Sequence, residues 1–156
     1  MTSLRPSEVS TSEIAEHASR KLRGVSMETV MRCWHSVGAL VKEKYDEGKG
    51  AAIDRFGTFT VDANKRPVFS LNADFSSAYR VKQNKKFGIG VVPTTRLNYA
   101  KLATVVGVTR EVARQVVDEM VLSLGTAIRK RGKVRLSFVP MCELLVDRGV
   151  ATMRFT

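Results

Sequence analysis

The chain has 156 residues, of which 26 are Lys or Arg and 15 are Asp or Glu, so its formal net charge is +11. This length suits one medium domain or two very small ones, and the hydrophobic fraction of 44% argues against extensive disorder. No apolar run approaches the length of a membrane-spanning helix, and the first residues lack the apolar core of a secretory signal, so we expect neither. The positive charge implies an acidic partner surface: nucleic acid, an acidic protein lattice such as tubulin, or an anionic membrane.

Two amphipathic helices are predicted in the first part of the chain. Residues 1–11 are small and polar, and we expect them to form a flexible tail. Ser12 is the predicted N-cap of the first helix, and Ser26 is the predicted N-cap of a longer helix over about 27–47. Trp34 lies on the apolar stripe of that longer helix, so we expect it to anchor a core rather than bind a ligand.

A β-hairpin follows these helices. Residues 58–61 alternate in the manner of a half-buried strand, and a second short strand is predicted over 67–71. Gly57 at the start of the first strand indicates a bulge or a close approach of another chain segment. A short closing helix is predicted over about 73–83, and the hairpin loop between the strands is too short to form an arm.

The pattern then restarts at Thr94 with a short helix, a long helix and three strands. Gly24-Val25-Ser26 matches Gly107-Val108-Thr109 at an offset of 83 residues, and each triplet precedes a long helix and a hairpin. Such a repeat predicts two copies of one small fold, the second without a closing helix.

The stretch 48–61 carries the most specific motif of the chain. Its spacing of Gly48, Ala51 and Ile53 before Phe56-Gly57-Thr58-Phe59 resembles the signature of the HU/IHF bacterial histone-like fold. The two-copy layout is similar to the tandem HU-like domains of the coiled-coil-domain-containing eighty-one family. The motifs that carry this second likeness are Arg66-Pro67-Val68-Phe69, Lys82-Gln83-Asn84-Lys85, Val91-Val92-Pro93, Leu97-Asn98-Tyr99 and Met153-Arg154-Phe155.

The resemblance implies an α+β fold of two tandem HU/IHF-like domains, each a helix pair with a short antiparallel sheet. The domains are armless and are expected to pair as HU subunits do, giving an intramolecular pseudo-dimer. The expected boundaries are a tail over 1–11, a first domain over 12–87, a linker over 88–97 and a second domain over 98–156. The family likeness further implies a non-enzymatic protein of centrosomes, basal bodies or cilia.

Enzyme chemistry has little support in the sequence. No nucleophile–base pair, zinc-spaced Cys/His set or phosphate-binding loop is visible, so we expect no catalytic residue, cofactor or metal. Cys33 and Cys142 are predicted to be buried, reduced thiols of an intracellular protein. His17 and His35 have no further ligands nearby and are interpreted as structural or surface residues.

Two basic clusters are the candidate partner-binding sites. They contain Arg80, Lys82, Lys85, Lys86, Arg129, Lys130, Arg131, Lys133 and Arg135. The alternative interpretation is that these side chains are solvated and stabilise helix C-termini through the helix dipole.

Two functions remain open for these clusters. One is docking on tubulin and other axonemal or centrosomal proteins, including the role of a microtubule inner protein of axonemal doublets. The other is non-specific contact with DNA phosphates. We favour the first, because neither predicted hairpin loop is long enough to enter a DNA groove as HU arms do. We expect no membrane partner.

Overall fold

The computed structural model of the chain describes residues 8–83 and 92–156. We call these two ranges the first and the second copy of the fold. In chain order the first copy contains β1 (Glu8–Val9), α1 (Thr11–Lys21), α2 (Met27–Asp46), β2 (Gly50–Ile53), β3 (Gly57–Val61), β4 (Pro67–Leu71), α3 (Ala73–Tyr79) and β5 (Lys82–Gln83). The second copy contains β6 (Thr94–Arg96), α4 (Tyr99–Val106), α5 (Arg110–Arg131), β7 (Lys133–Phe138), β8 (Cys142–Asp147) and β9 (Val150–Phe155).

Polar caps set where the helices begin. The side chains of Ser26 and Thr109 accept backbone N–H bonds at the starts of α2 and α5, as the sequence predicts. The prediction of Ser12 as the first cap is wrong. Ser10 caps α1 instead, because its side chain accepts from the Glu13 backbone while the Glu13 carboxylate accepts from the Ser10 N–H in a capping box.

The closing helix of the first copy is shorter than the sequence predicts. Helix α3 ends at Tyr79, because Arg80 takes the left-handed conformation with φ 54°. The chain then turns into the extended pair Lys82–Gln83 instead of continuing as a helix to residue 83.

The two copies exchange their first strands. One sheet has the order β4-β3-β2-β6, and the parallel partner β6 of β2 comes from the second copy. The other sheet has the order β1-β7-β8-β9-β5, and the parallel partner β1 of β7 comes from the first copy. Each sheet is therefore complete only when both copies are present.

This exchange corrects two of the predicted boundaries. Residues 8–11 are not part of a flexible tail, because Glu8–Val9 form β1, Val9 is buried and Thr11 begins α1. Residues 94–96 are not a linker, because they form β6. Residues 1–7 and 84–91, which include Lys85 and Lys86, lie outside the described residues.

Gln83 connects the two sheets. Its backbone pairs with Ala151 of β9 in one sheet. Its side-chain amide oxygen accepts from the Leu71 N–H at 2.8 Å, and its amide nitrogen donates to the Phe69 carbonyl on the edge of β4 in the other sheet. The open edge of β4 is thereby satisfied by a side chain.

One hydrophobic core serves both copies. The Trp34 side chain from α2 is 1% exposed, and its indole N–H donates to the Ser137 carbonyl oxygen of β7 at 2.9 Å. Phe138 of the second copy lies 5.2 Å from the Trp34 ring and 5.1 Å from the Phe59 ring, measured between centroids. The predicted core role of Trp34 and the predicted intramolecular pseudo-dimer are both confirmed.

The Phe-Gly-Thr-Phe corner is packed as closely as its sequence predicts. A Cβ atom placed on Gly57 would lie 2.6 Å from the Ser70 carbonyl oxygen, which is closer than any side-chain carbon can approach. The neighbouring Phe56 ring is fully buried and stacks on Phe138 with centroids 5.8 Å apart. The corner therefore lies in the contact between the copies.

No helix within residues 8–83 and 92–156 is long and apolar enough to cross a membrane.

Candidate functional site

The fold brings residues 80–82 and 129–133 of the two predicted basic clusters together through a third segment, the turn between β8 and β9. The Arg148 N–H of this turn donates to the Gly132 carbonyl at 3.3 Å, at the end of α5. The next residue, Gly149, accepts from the Lys82 N–H at 2.9 Å, at the start of β5. The turn thus lies between the cluster at residues 129–133 and the cluster at residues 80–82.

We call the resulting surface the basic band. It consists of Arg80, Lys82, Arg129, Lys130, Arg131, Lys133 and Arg148. The two clusters identified from the sequence do not include Arg148, so its place in the band was not predicted. Only the two contacts with Gly132 and Lys82 reveal that place, and both are backbone hydrogen bonds without a sequence signature.

Local backbone conformation explains why the band forms here. Helix α5 ends because Gly132 takes φ 76°, a left-handed conformation that suits glycine. Arg148 and Gly149 both have positive φ, as a tight two-residue hairpin turn requires. Residues 129–131 occupy the last turn of α5, where the helix dipole favours positive charge, so their cations also stabilise the helix.

Most cations of the band are open to solvent. Arg80, Lys82, Arg129, Lys130, Arg131 and Arg148 are all exposed. None of the band's cations forms an ion pair within the described part of the chain. Lys133 is half-buried and stands opposite Asp147 in the β7–β8 ladder.

Arg135 is separated from the band by its ion pairs. Its Nη1 atom lies 3.1 Å from the Glu143 carboxylate, and its Nε atom lies 3.7 Å from the Glu8 carboxylate. These partners come from β8 and from the exchanged strand β1. The structure therefore assigns Arg135 to the outer face of its own sheet, where its charge is already compensated.

The corresponding end of the first copy is electrostatically balanced. At the end of α2, Lys42 pairs with Asp46 at 2.7 Å, and Lys49 pairs with Glu47 at 3.7 Å. Another pair joins Lys101 of α4 to α2. Equivalent helix ends thus differ in charge pairing, so fold symmetry alone does not account for the unpaired cations of the band.

Burial holds the two cysteines in the thiol form. Cys33 and Cys142 are both buried and free, as predicted. Removal from solvent raises the pKa of both thiols, that of Cys142 to about 12. Within residues 8–83 and 92–156, no group of three or more His, Cys, Asp or Glu side chains could hold a metal ion.

A cleft of about 270 Å³ opens between α3 and α5. Phe75 and Tyr79 form part of its apolar wall, and Asp118 lies at its polar side. Partial burial raises the pKa of the Asp118 carboxyl, although Arg114 and Arg55 oppose that rise. This cleft is a groove between the copies and contains none of the residues of the basic band.

Comparison with known protein families agrees with this architecture. A family model described as CCDC81 eukaryotic HU domain 1 matches residues 11–83, and one described as CCDC81 eukaryotic HU domain 2 matches residues 93–156. The two matches follow each other in the order expected for a tandem protein. Their residue ranges correspond to the two copies of the fold. The chain belongs to the CCDC81 family of tandem eukaryotic HU domains.

Proposed function

We propose that this protein is a non-enzymatic structural component of cilia or centrosomes whose basic band docks on the acidic microtubule lattice. One specific form of this proposal is a microtubule inner protein of axonemal doublets. The observation that carries the proposal is the contrast between the two copies. Within the part of the chain that the structure describes, the cations at the end of α5 have no ion-pair partners, whereas carboxylates pair with the lysines at the equivalent end of α2.

The rigidity of the fold supports a docking role. The band is built from three segments held by backbone hydrogen bonds to Gly132 and Gly149, and these segments rest on a core shared by both copies. A backbone that is already fixed loses little conformational freedom on binding, and the cations it carries steer an acidic partner toward the contact. Arginine side chains in the band suit bidentate hydrogen bonds to carboxylates.

DNA is the alternative partner, since phosphates attract the same cations. The described hairpins disfavour the HU manner of DNA bending. Strands β3 and β4 are joined by residues 62–66, and β8 and β9 are joined by Arg148 and Gly149 alone. Neither connection is long enough to follow a minor groove about 7.5 Å deep around the duplex.

Co-sedimentation with microtubules tests the proposal. The band variant Arg129→Gln/Lys130→Gln removes two exposed cations from the band. The control Lys65→Gln/Arg66→Gln removes two exposed cations from the β3–β4 loop, the counterpart of the β8–β9 turn in the first copy. Two lost surface contacts of about 0.5–1 kcal/mol each predict a five- to thirtyfold weaker affinity, in round terms, for the band variant alone.

Three results would contradict the proposal. They are no binding of the wild-type chain, equal losses for the band variant and the control, and an affinity independent of salt concentration. The same variants are to be tested on duplex DNA in a gel-shift assay. Binding to DNA with no binding to microtubules would replace the microtubule lattice by nucleic acid as the partner.

A further inference from the structure

The exchanged fold contains two equivalent grooves, one between α1 and α5 and one between α2 and α4. The long-helix wall of the first groove includes Ser123, Thr126, Ala127 and Lys130. The long-helix wall of the second includes Leu40, Glu43, Lys44 and Glu47. Each residue of one wall is 83 positions from its counterpart, the same offset that relates the two copies. The grooves can therefore be compared position by position.

The chain closes one of these grooves with its own carboxylate. Glu43 of α2 lies 2.5 Å from the Lys101 ammonium of α4, so an ion pair spans the α2–α4 groove, whose volume is about 130 Å³. The α1–α5 groove has a volume of about 280 Å³. At the position of Glu43 it carries Thr126, whose hydroxyl donates to the Leu122 carbonyl of its own helix.

The α1–α5 groove lacks such an ion pair in the described residues, and two cations of its long-helix wall are unpaired there. Lys130 stands where the other groove has Glu47, and Arg131 follows it at the mouth. Neither side chain forms an ion pair within residues 8–83 and 92–156. Both also belong to the basic band, so the groove opens directly from that band.

The acidic residues on the α1 wall are engaged within their own helix. The Glu13 carboxylate accepts from the Ser10 N–H at the start of α1. The Glu16 carboxylate pairs with Arg20 at 2.9 Å. Lower in the groove, the His17 ring is hydrogen-bonded to the buried Ser123 hydroxyl at 2.9 Å. Glu13 forms no ion pair in the described residues and keeps its negative charge, so the unpaired cations that an acidic ligand can meet in this groove are Lys130 and Arg131.

We propose that the α1–α5 groove binds an extended acidic segment of the partner protein. A carboxylate of that segment takes the position that Glu43 occupies in the other groove, within reach of Lys130 and Arg131. A small apolar side chain of the segment lies on the half-buried Ala127. This inference rests on the proposed function, because the segment belongs to the same acidic partner that contacts the basic band.

A peptide-binding experiment on the full chain tests the groove separately from the lattice. The probe is a fluorescein-labelled peptide of eight glutamates with one central alanine, and binding is followed by anisotropy at low salt. Thr126→Glu restores the carboxylate of the other copy, and we expect it to weaken peptide binding by about tenfold, since a fixed like charge then occupies the groove. Thr126→Gln has nearly the same size without the charge and should bind like the wild type.

Three outcomes would overturn the groove proposal: no peptide binding by the wild-type chain, unchanged binding by Thr126→Glu, or equal losses for both variants. Thr126 is half-buried and its hydroxyl bonds to the Leu122 carbonyl of its own helix, so both variants should fold, and far-UV circular dichroism checks this. If the band variant loses microtubule binding while Thr126→Glu retains peptide binding, the proposed function stands and the groove proposal fails. Charge-sensitive peptide binding without any microtubule binding would support the groove proposal and contradict docking on the microtubule lattice.

Discussion

Replacement of Trp34 by alanine tests the shared core. The ring is 1% exposed, packs on Phe138 and donates a hydrogen bond to the Ser137 carbonyl. Truncation of a buried aromatic residue costs about 3–5 kcal/mol, and the orphaned carbonyl places Trp34→Ala near the top of that range. Trp34→Phe keeps the contact with Phe138 and loses only the N–H donor and part of the ring, so we expect a cost of about 1–2 kcal/mol.

The assay is urea denaturation followed by far-UV circular dichroism, because the substitution removes the only tryptophan of the chain. A domain stabilised by about 5–15 kcal/mol should then unfold at a much lower urea concentration. Since Trp34 joins the copies, we expect one transition that shifts as a whole. A loss below about 1 kcal/mol would refute the burial argument. Two separate transitions, with the second copy unaffected, would refute the shared core.

Three further predictions concern packing, the joined sheets and pH. Gly38→Ala should destabilise the protein by about 1–3 kcal/mol in thermal unfolding, because the added Cβ would overlap the Val139 carbonyl oxygen and lie 3.0 Å from the Phe138 carbonyl carbon; equal or greater stability would contradict these contacts. Gln83→Ala should accelerate hydrogen exchange at the Leu71 amide, which loses its acceptor, and an unchanged rate would show that the side chain does not join the sheets. The free energy of unfolding should fall as the pH rises from 9 toward 12, because the unfolded chain releases the Cys142 proton that the folded chain keeps, its thiol pKa being raised from 9.0 to about 12. Cys142→Ala should make that fall shallower in urea midpoints measured across this range, and an identical slope would contradict the assignment.

The features that the sequence predicts correctly are those with a strong periodic or capping signal. The helices after Ser26 and Thr109 are examples, because each combines a hydroxyl cap with a sustained apolar stripe. Trp34 could likewise be placed in the core from its position on that stripe. The tandem α+β architecture follows from the repetition of these signals.

The strand exchange could not be predicted in the same way. Strand β1 has 2 residues and β6 has 3, which is too short for any periodicity, and their partners are chosen by tertiary packing. The early end of α3 was also hidden, since Arg80 takes a left-handed conformation that sequence patterns assign to glycine or asparagine.

The candidate site was only partly predictable for a related reason. Sequence clustering identified cations at residues 80–82 and 129–133, but the contact between these clusters runs through the turn that carries Arg148. The compensation of Arg135 was equally invisible, because its carboxylate partners Glu8 and Glu143 belong to other strands. Charge along the chain therefore locates cations and does not show which of them remain unpaired.

Fractionation of the source cells with an antibody to this protein tests the proposed function most directly. A detergent-extracted, salt-washed axonemal or cytoskeletal pellet is compared with chromatin released by nuclease. Docking on the microtubule lattice predicts retention of the protein in the washed pellet. Release with the chromatin would contradict that account and would make the basic band a DNA-binding surface.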